Sequence, residues 1–249
     1  MAAADASSPV GASGSSVYAV SEEKTNGTRL ARLLVDGGTH VLRKILHSVH
    51  PTPATLQHVL NNNLRKLQSL KSKHVIFDDQ WEKLFPASGD PRPDSTTFDL
   101  TLLHLLLREI CQLTAPPTGW RKMPADGDVS REANIVRIKC FRNELCHSAS
   151  TGIAKAKFED KWNIVSSALV AMGIDQTEVD RLKTAPIDHD TERRIEEEVN
   201  KWKLDFEPRV ETLEKKVGSW KVKIGVLKNF AAAFQTNCQR NACLVTPKK

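Results

Sequence analysis

The chain has 249 residues, of which 40% are hydrophobic and 27% charged, with a formal net charge of +6. That length holds one large domain, or one domain with an extension. No run of about 18 apolar residues occurs, which excludes a transmembrane helix. The modest positive charge permits contact with RNA without requiring it.

The segment Met1–Asn26 is rich in Ala, Ser and Gly. It has no basic start and no continuous apolar core, so it does not read as a secretory signal. Residues 1–27 offer little to bury and are expected to be a disordered tail. From Thr28 the pattern is helical almost throughout. Leu30, Leu33, Leu34, Val41, Leu42, Ile45 and Leu46 recur at helical spacing, with Gly37-Gly38 as a break or kink. Pro51-Thr52-Pro53 separates this from an amphipathic helix carrying Leu56, Val59, Leu60, Leu64, Leu67 and Leu70. A short helical turn covers Asp79–Leu84, and Ala87–Ser95, with Gly89, Pro91 and Pro93, reads as a loop.

The next helix, about Thr97–Leu113, is apolar on most sides, as the centre of a bundle would be. Pro116-Pro117-Thr118-Gly119 ends it. Ser130 is a good N-cap for a helix running to about Ala149. Another spans about Lys155–Met172 and stops at Gly173. A short one near Thr177–Leu182 closes a domain over residues 28–185. Residues 186–249 form a charged helical extension and a basic tail. Its steps Val210, Leu213, Val217, Trp220, Ile224 and Leu227 form a short coiled-coil-like seam.

The five cysteines are Cys111, Cys140, Cys146, Cys238 and Cys243. Their number is odd and no Cys-x-x-Cys pair occurs, so neither a disulfide framework nor a metal site is expected, and no cofactor motif stands out. Reduced thiols point to the cytosol or nucleus, with the cytoplasm as the expected compartment.

One string resembles an active site: Arg142-Asn143-Glu144-Leu145-Cys146-His147. At about 100° per residue, Ile135, Ile138, Phe141, Leu145 and Cys146 fill one continuous arc, and Arg142 falls inside it. A guanidinium in an apolar stripe is costly unless paired; it can snorkel, line a cleft or reach an anion. Asn143 and His147 are four apart and share the adjacent flank. Such a set suffices for metal-free RNA cleavage, with the histidine as acid or base on the 2′-hydroxyl and the arginine holding phosphate. The same residues could equally form a satisfied polar network locking two helices. Spacing does not decide between them: about one Arg-to-His match of this length arises by chance, and Arg43 with His50 also fits.

The context is more specific. The segments Phe98-Asp99-Leu100-Thr101-Leu102-Leu103, Leu107–Leu113 and Pro116-Pro117-Thr118-Gly119-Trp120 with Pro124 resemble one family. So do Asp126–Ile138, Phe141–Ser148, and Phe158 through Trp162 to Leu169 and Gly173. Together they resemble the HEPN domain of the DAZ-interacting zinc finger ubiquitin ligase type, most specifically over residues 95–175. The resemblance implies an all-α, up-and-down helical bundle that acts as a homodimer. It further implies a composite cleft in which Arg142 contacts phosphate, Asn143 supports the site and His147 is the catalytic acid or base. The chain lacks the cysteines and histidines of a ring finger and any phosphate-binding loop of the NTPase type, so it carries the HEPN module without those effector parts.

Two functions are therefore expected to compete. One is an RNA-binding HEPN module acting as a dimeric, metal-independent endoribonuclease. The other is a non-catalytic dimerisation or interaction scaffold that recruits a protein partner through its C-terminal helices. No membrane partner is expected.

Overall fold

The computed structural model describes residues 17–87, 92–148 and 152–204. The described residues are all-α, with helices joined by short turns and loops and no strand. None of these helices is long and apolar enough to cross a membrane. The contacts divide the chain after Lys203, and the fold below is that of the first unit.

Helix α1 spans Val17–Arg32 and runs through a π-helical turn, Leu33–Gly38, into α2, Thr39–Val49. Gly37-Gly38 thus bends a continuous helix rather than ending it. The turn brings backbone against the core. A Cβ on Gly38 would lie 3.0 Å from Leu100 Cδ1 and 3.2 Å from Ile138 Cγ2, and one on Gly37 would lie 3.0 Å from Leu169 Cδ1. Glycine is present for close approach, since both positions are helical.

The helical start differs from the sequence expectation of a tail up to residue 27. Helix is already formed at Val17, and Asn26 and Thr28 are buried. Asn26 Nδ2 donates to the Ile153 carbonyl at 3.3 Å, so a polar residue is held where apolar content gave no signal. Residues 1–16 lie outside the described residues.

The expected single helix over residues 56–70 is two: α3, Pro53–Asn62, and α4, Leu64–Ser72. Thr52 caps α3 by accepting from the Thr55 N–H, with Pro53 at the first helical position. Asn63 leaves helical geometry at the junction (φ −103°, ψ 12°). Leu60 and Leu67, on either side, are both fully buried. A short α5, Asp78–Leu84, follows.

Helix α6, Leu100–Ile110, is the centre of the bundle, with every residue from Leu102 to Leu107 buried. Asp99 caps it, accepting from the Leu102 N–H at 2.8 Å. Helix α6 packs on α2 and on α7, Arg131–His147. Helix α7 packs in turn on α8, Lys155–Ala171, which meets α1 and α9, Gln176–Thr184. Gly173 takes φ +95° after α8, the left-handed conformation of a helix stop.

Arg43, half of the chance match to the motif, has a purely architectural role. Its guanidinium donates to the carbonyls of Ser95 at 2.9 Å, Thr96 at 3.2 Å and Phe98 at 3.3 Å. It fastens the turn before α6 onto α2.

A further helix, α10 (189–203 within the first unit), follows the expected boundary at residue 185. Its Ile195, Val199 and Trp202 are buried in the common core, so α10 belongs to the bundle. These positions are spaced four and three apart, one helical face that the surrounding charges disguise. The seam from Val210 to Leu227 and the basic tail lie outside the described residues.

Replacing Gly38 by valine forces methyl groups into Leu100 and Ile138. Urea unfolding should show a loss of about 1–3 kcal/mol, the range for overpacking a core. Gly127→Ala, where a Cβ meets nothing within 4 Å, should change stability little.

Candidate functional site

Helix α7 begins at Ser130, whose hydroxyl accepts from the Ala133 N–H at 3.2 Å. Its first two turns are core: Ala133, Ile135, Val136 and Ile138 are essentially unexposed. The buried Arg137 ties the preceding loop down, donating to Asn134 Oδ1 at 2.8 Å and to the Ala125 carbonyl at 2.6 Å. The anchored first half of the helix fixes where its last turns, which carry the motif, can point.

Arg142 is only 3% exposed, one of the outcomes that its place within the apolar arc left open. The Arg142 guanidinium donates through Nη1 to Asn143 Oδ1 at 3.3 Å and through Nη2 to the Trp202 carbonyl at 3.4 Å. Its carbon centre lies 5.4 Å from the middle of the Trp202 ring, a cation–π contact. Arginine and asparagine of the motif are therefore brought together. His147 is the last residue of α7 and is exposed. Glu144, on the outer side, pairs with Lys161 of α8. The structure thus splits the motif: its arginine faces inward under Trp202 and its histidine faces solvent.

A cavity of about 220 Å³ is lined by residues that include Ala31 of α1, Leu145 of α7 and Val199 of α10. Among the described residues no three His, Cys, Asp or Glu side chains gather in a metal-binding arrangement.

On the α6 side of the site lies a group that sequence reasoning did not single out. His104 is 5% exposed, its Nε2 has no hydrogen-bond partner, and its ring meets the edge of Trp120 at 6.2 Å. Burial, with Arg108, Lys139 and Arg142 nearby, pushes its pKa down to about 3. The signal was available: His104 and Arg108 are four apart on α6, and Lys139 and Arg142 are three apart on α7. Which faces of the two helices meet required the fold.

With these features in place the family is decided. Residues 53–195, more than half of the chain, match the DZIP3/hRUL138-like HEPN family. The chain belongs to that family. It is 29% identical over 163 residues to the E3 ubiquitin-protein ligase DZIP3 of Homo sapiens, which covers 64% of this chain and 13% of that protein. It is 27% identical over 164 residues to the Mus musculus protein of the same name, covering 64% and 14%. The chain thus spans about a seventh of the length of these relatives. No solved structure matched. The HEPN match includes the whole of α7, while Trp202, which covers Arg142, lies beyond it.

The neutral burial of His104 makes stability pH-dependent. The unfolded chain takes up a proton near the ordinary histidine value of 6.5, whereas the folded chain resists until about 3. Stability from this residue is complete above 6.5 and falls as the pH drops from 6.5 towards 3. Between pH 7.5 and 5.0 the wild type should lose about 2 kcal/mol more than His104→Leu in urea unfolding. Equal losses would mean that His104 protonates freely in the fold.

Proposed function

We propose that this chain is an RNA-binding HEPN module and that two copies act together as a metal-independent endoribonuclease. The observation that supports this most is the intact Arg142, Asn143 and His147 set at the end of α7, in a chain of a HEPN family. The chemistry needs only side chains. His147 of one copy removes the proton of a ribose 2′-hydroxyl. The 2′-oxygen attacks the adjacent phosphorus as the bond to the 5′-oxygen breaks, leaving a 2′,3′-cyclic phosphate. His147 of the second copy, as imidazolium, supplies the proton to the leaving oxygen. Arg142 neutralises the charge that builds on the phosphate oxygens, and Asn143 orients that guanidinium.

Arg142 lies beneath Trp202, so this role requires the end of α10 to withdraw. Withdrawal re-exposes the buried Ile195, Val199 and Trp202, a cost that RNA binding must offset, although the polar contacts of the cover are weak. Its outer ion pairs, such as Lys24 with Glu192 at 3.0 Å and Lys201 with Asp79 at 3.6 Å, are between exposed side chains that contribute little. The buried Trp202 Nε1–H has no hydrogen-bond partner, which costs about 1–3 kcal/mol. A phosphate would replace the Trp202 carbonyl with a charged and stronger acceptor.

The same contact favours a second reading, a non-catalytic scaffold. In that reading Arg142 serves to hold α10, and the helices after Thr191 recruit a protein partner. Cys111 and Cys140, which form no disulfide among the described residues, support a reducing compartment, the cytoplasm, under either reading.

Purified full-length chain incubated with single-stranded RNA in EDTA, beside His147→Ala, separates the two. The nuclease reading expects wild-type cleavage to cyclic-phosphate ends, a loss of at least about 100-fold in the variant, and a dimer by light scattering. Equal behaviour of the two proteins, with RNA uncut, supports the scaffold.

A further inference from the structure

The α6–α7 face is electrostatically frustrated. Lys139 is half-buried and makes no ion pair or hydrogen bond among the described residues. Burial is the main cause that holds its pKa below the ordinary lysine range; the adjacent Cys140 opposes this, and Arg108, Arg121 and Arg142 add to it. Arg108 is neutralised in place, since its Nε meets Glu109 Oε1 at 2.7 Å. Glu109 is also held by Lys66 at 2.8 Å, so one carboxylate serves two cations. Arg121 is exposed and makes no ion pair among the described residues. Beneath them lies His104, nine-tenths buried, with an Nε2 that has no partner. Like charges gathered on a half-buried surface destabilise a fold unless an anion joins them.

Geometry sets the shape of this face. Lys139 and Arg142 are one turn apart on α7, and His104 and Arg108 one turn apart on α6. The half-buried Trp120 indole meets the His104 ring in an edge contact, centroids 6.2 Å apart and planes at 82°. Cations beside an aromatic plane form the pattern that holds single-stranded nucleic acid, with phosphates on the cations and a base on the ring.

We propose that Lys139 and Arg121, with Trp120 as stacking platform, bind the phosphodiester backbone of a single-stranded RNA and lead it to Arg142. This rests on the RNA reading and extends it by naming the track along which the strand reaches the motif.

The test measures binding of a fluorescent single-stranded RNA to the full chain across a salt series, for wild type, Lys139→Met, Arg121→Gln and Trp120→Leu. Lys139→Met and Arg121→Gln should each weaken binding severalfold. Each should lower the slope of log affinity against log salt by about 0.7, the value for one phosphate contact on a single strand. Trp120→Leu should weaken binding without changing the slope. Lys139→Met should also unfold at the same or higher urea concentration than wild type, because it relieves repulsion; a merely structural lysine would lose stability instead. Wild-type binding with unchanged affinity and slope in Lys139→Met and Arg121→Gln would overturn the track and leave the RNA reading standing. Failure of the wild type to bind would remove the RNA reading, and the track with it. Competition by polyglutamate as effective as that by RNA would overturn the proposal in favour of an acidic protein surface.

Discussion

The contact between Arg142 and Trp202 is the constraint on which the rest of this structure turns. It joins the helix that carries the motif to the last described helix of the bundle. A buried guanidinium must be satisfied, and here a backbone carbonyl, an aromatic face and the neighbouring asparagine surround it. The same residue is therefore both a fastening and the strongest candidate for a phosphate ligand. Those roles exclude one another in a single conformation, so any function through Arg142 is coupled to the position of α10. Trp202 lies outside the family match, which makes this coupling a property of the chain's own continuation rather than of the HEPN core.

Much of the bundle was legible in the sequence. The apolar run from Leu100 to Ile110 marked the central helix, Ser130 marked the start of α7, and Gly173 marked the end of α8. What periodicity missed has physical reasons. Asn63 interrupts α3 and α4 through backbone geometry that an unbroken run of leucines conceals. Residues from Val17 to Gly27 hold few large apolar side chains, yet Asn26 is drawn inward by a hydrogen bond to Ile153. In α10 three buried residues stand among twelve charged and polar ones, and composition drowned the face they share.

The site was less legible. The place of Arg142 inside the apolar arc of α7 left burial, snorkelling and a cleft all open, and Asn143, expected beside His147, meets Arg142 instead. What covers it could not be foreseen, because Trp202 lies sixty positions along the chain. Nor could the basic face, which exists only because α6 and α7 bring separate i, i+3 and i, i+4 pairs together. The arginines of this protein divide clearly by environment. Arg43 and Arg137 donate to backbone carbonyls and hold loops, whereas Arg121 and Lys139 have no such partner among the described residues. Satisfied cations build the fold, and unsatisfied ones mark where an anion stabilises it.

The central claim is that RNA reaches Arg142 only by displacing Trp202. Side-chain NMR during titration of the full chain with single-stranded RNA tests it most directly, following the Trp202 indole N–H, the Arg142 Nε–H and the His147 ring. The account predicts that all three shift together and saturate at one RNA concentration. Saturable binding that moves His147 while the Trp202 and Arg142 signals stay in place would contradict it.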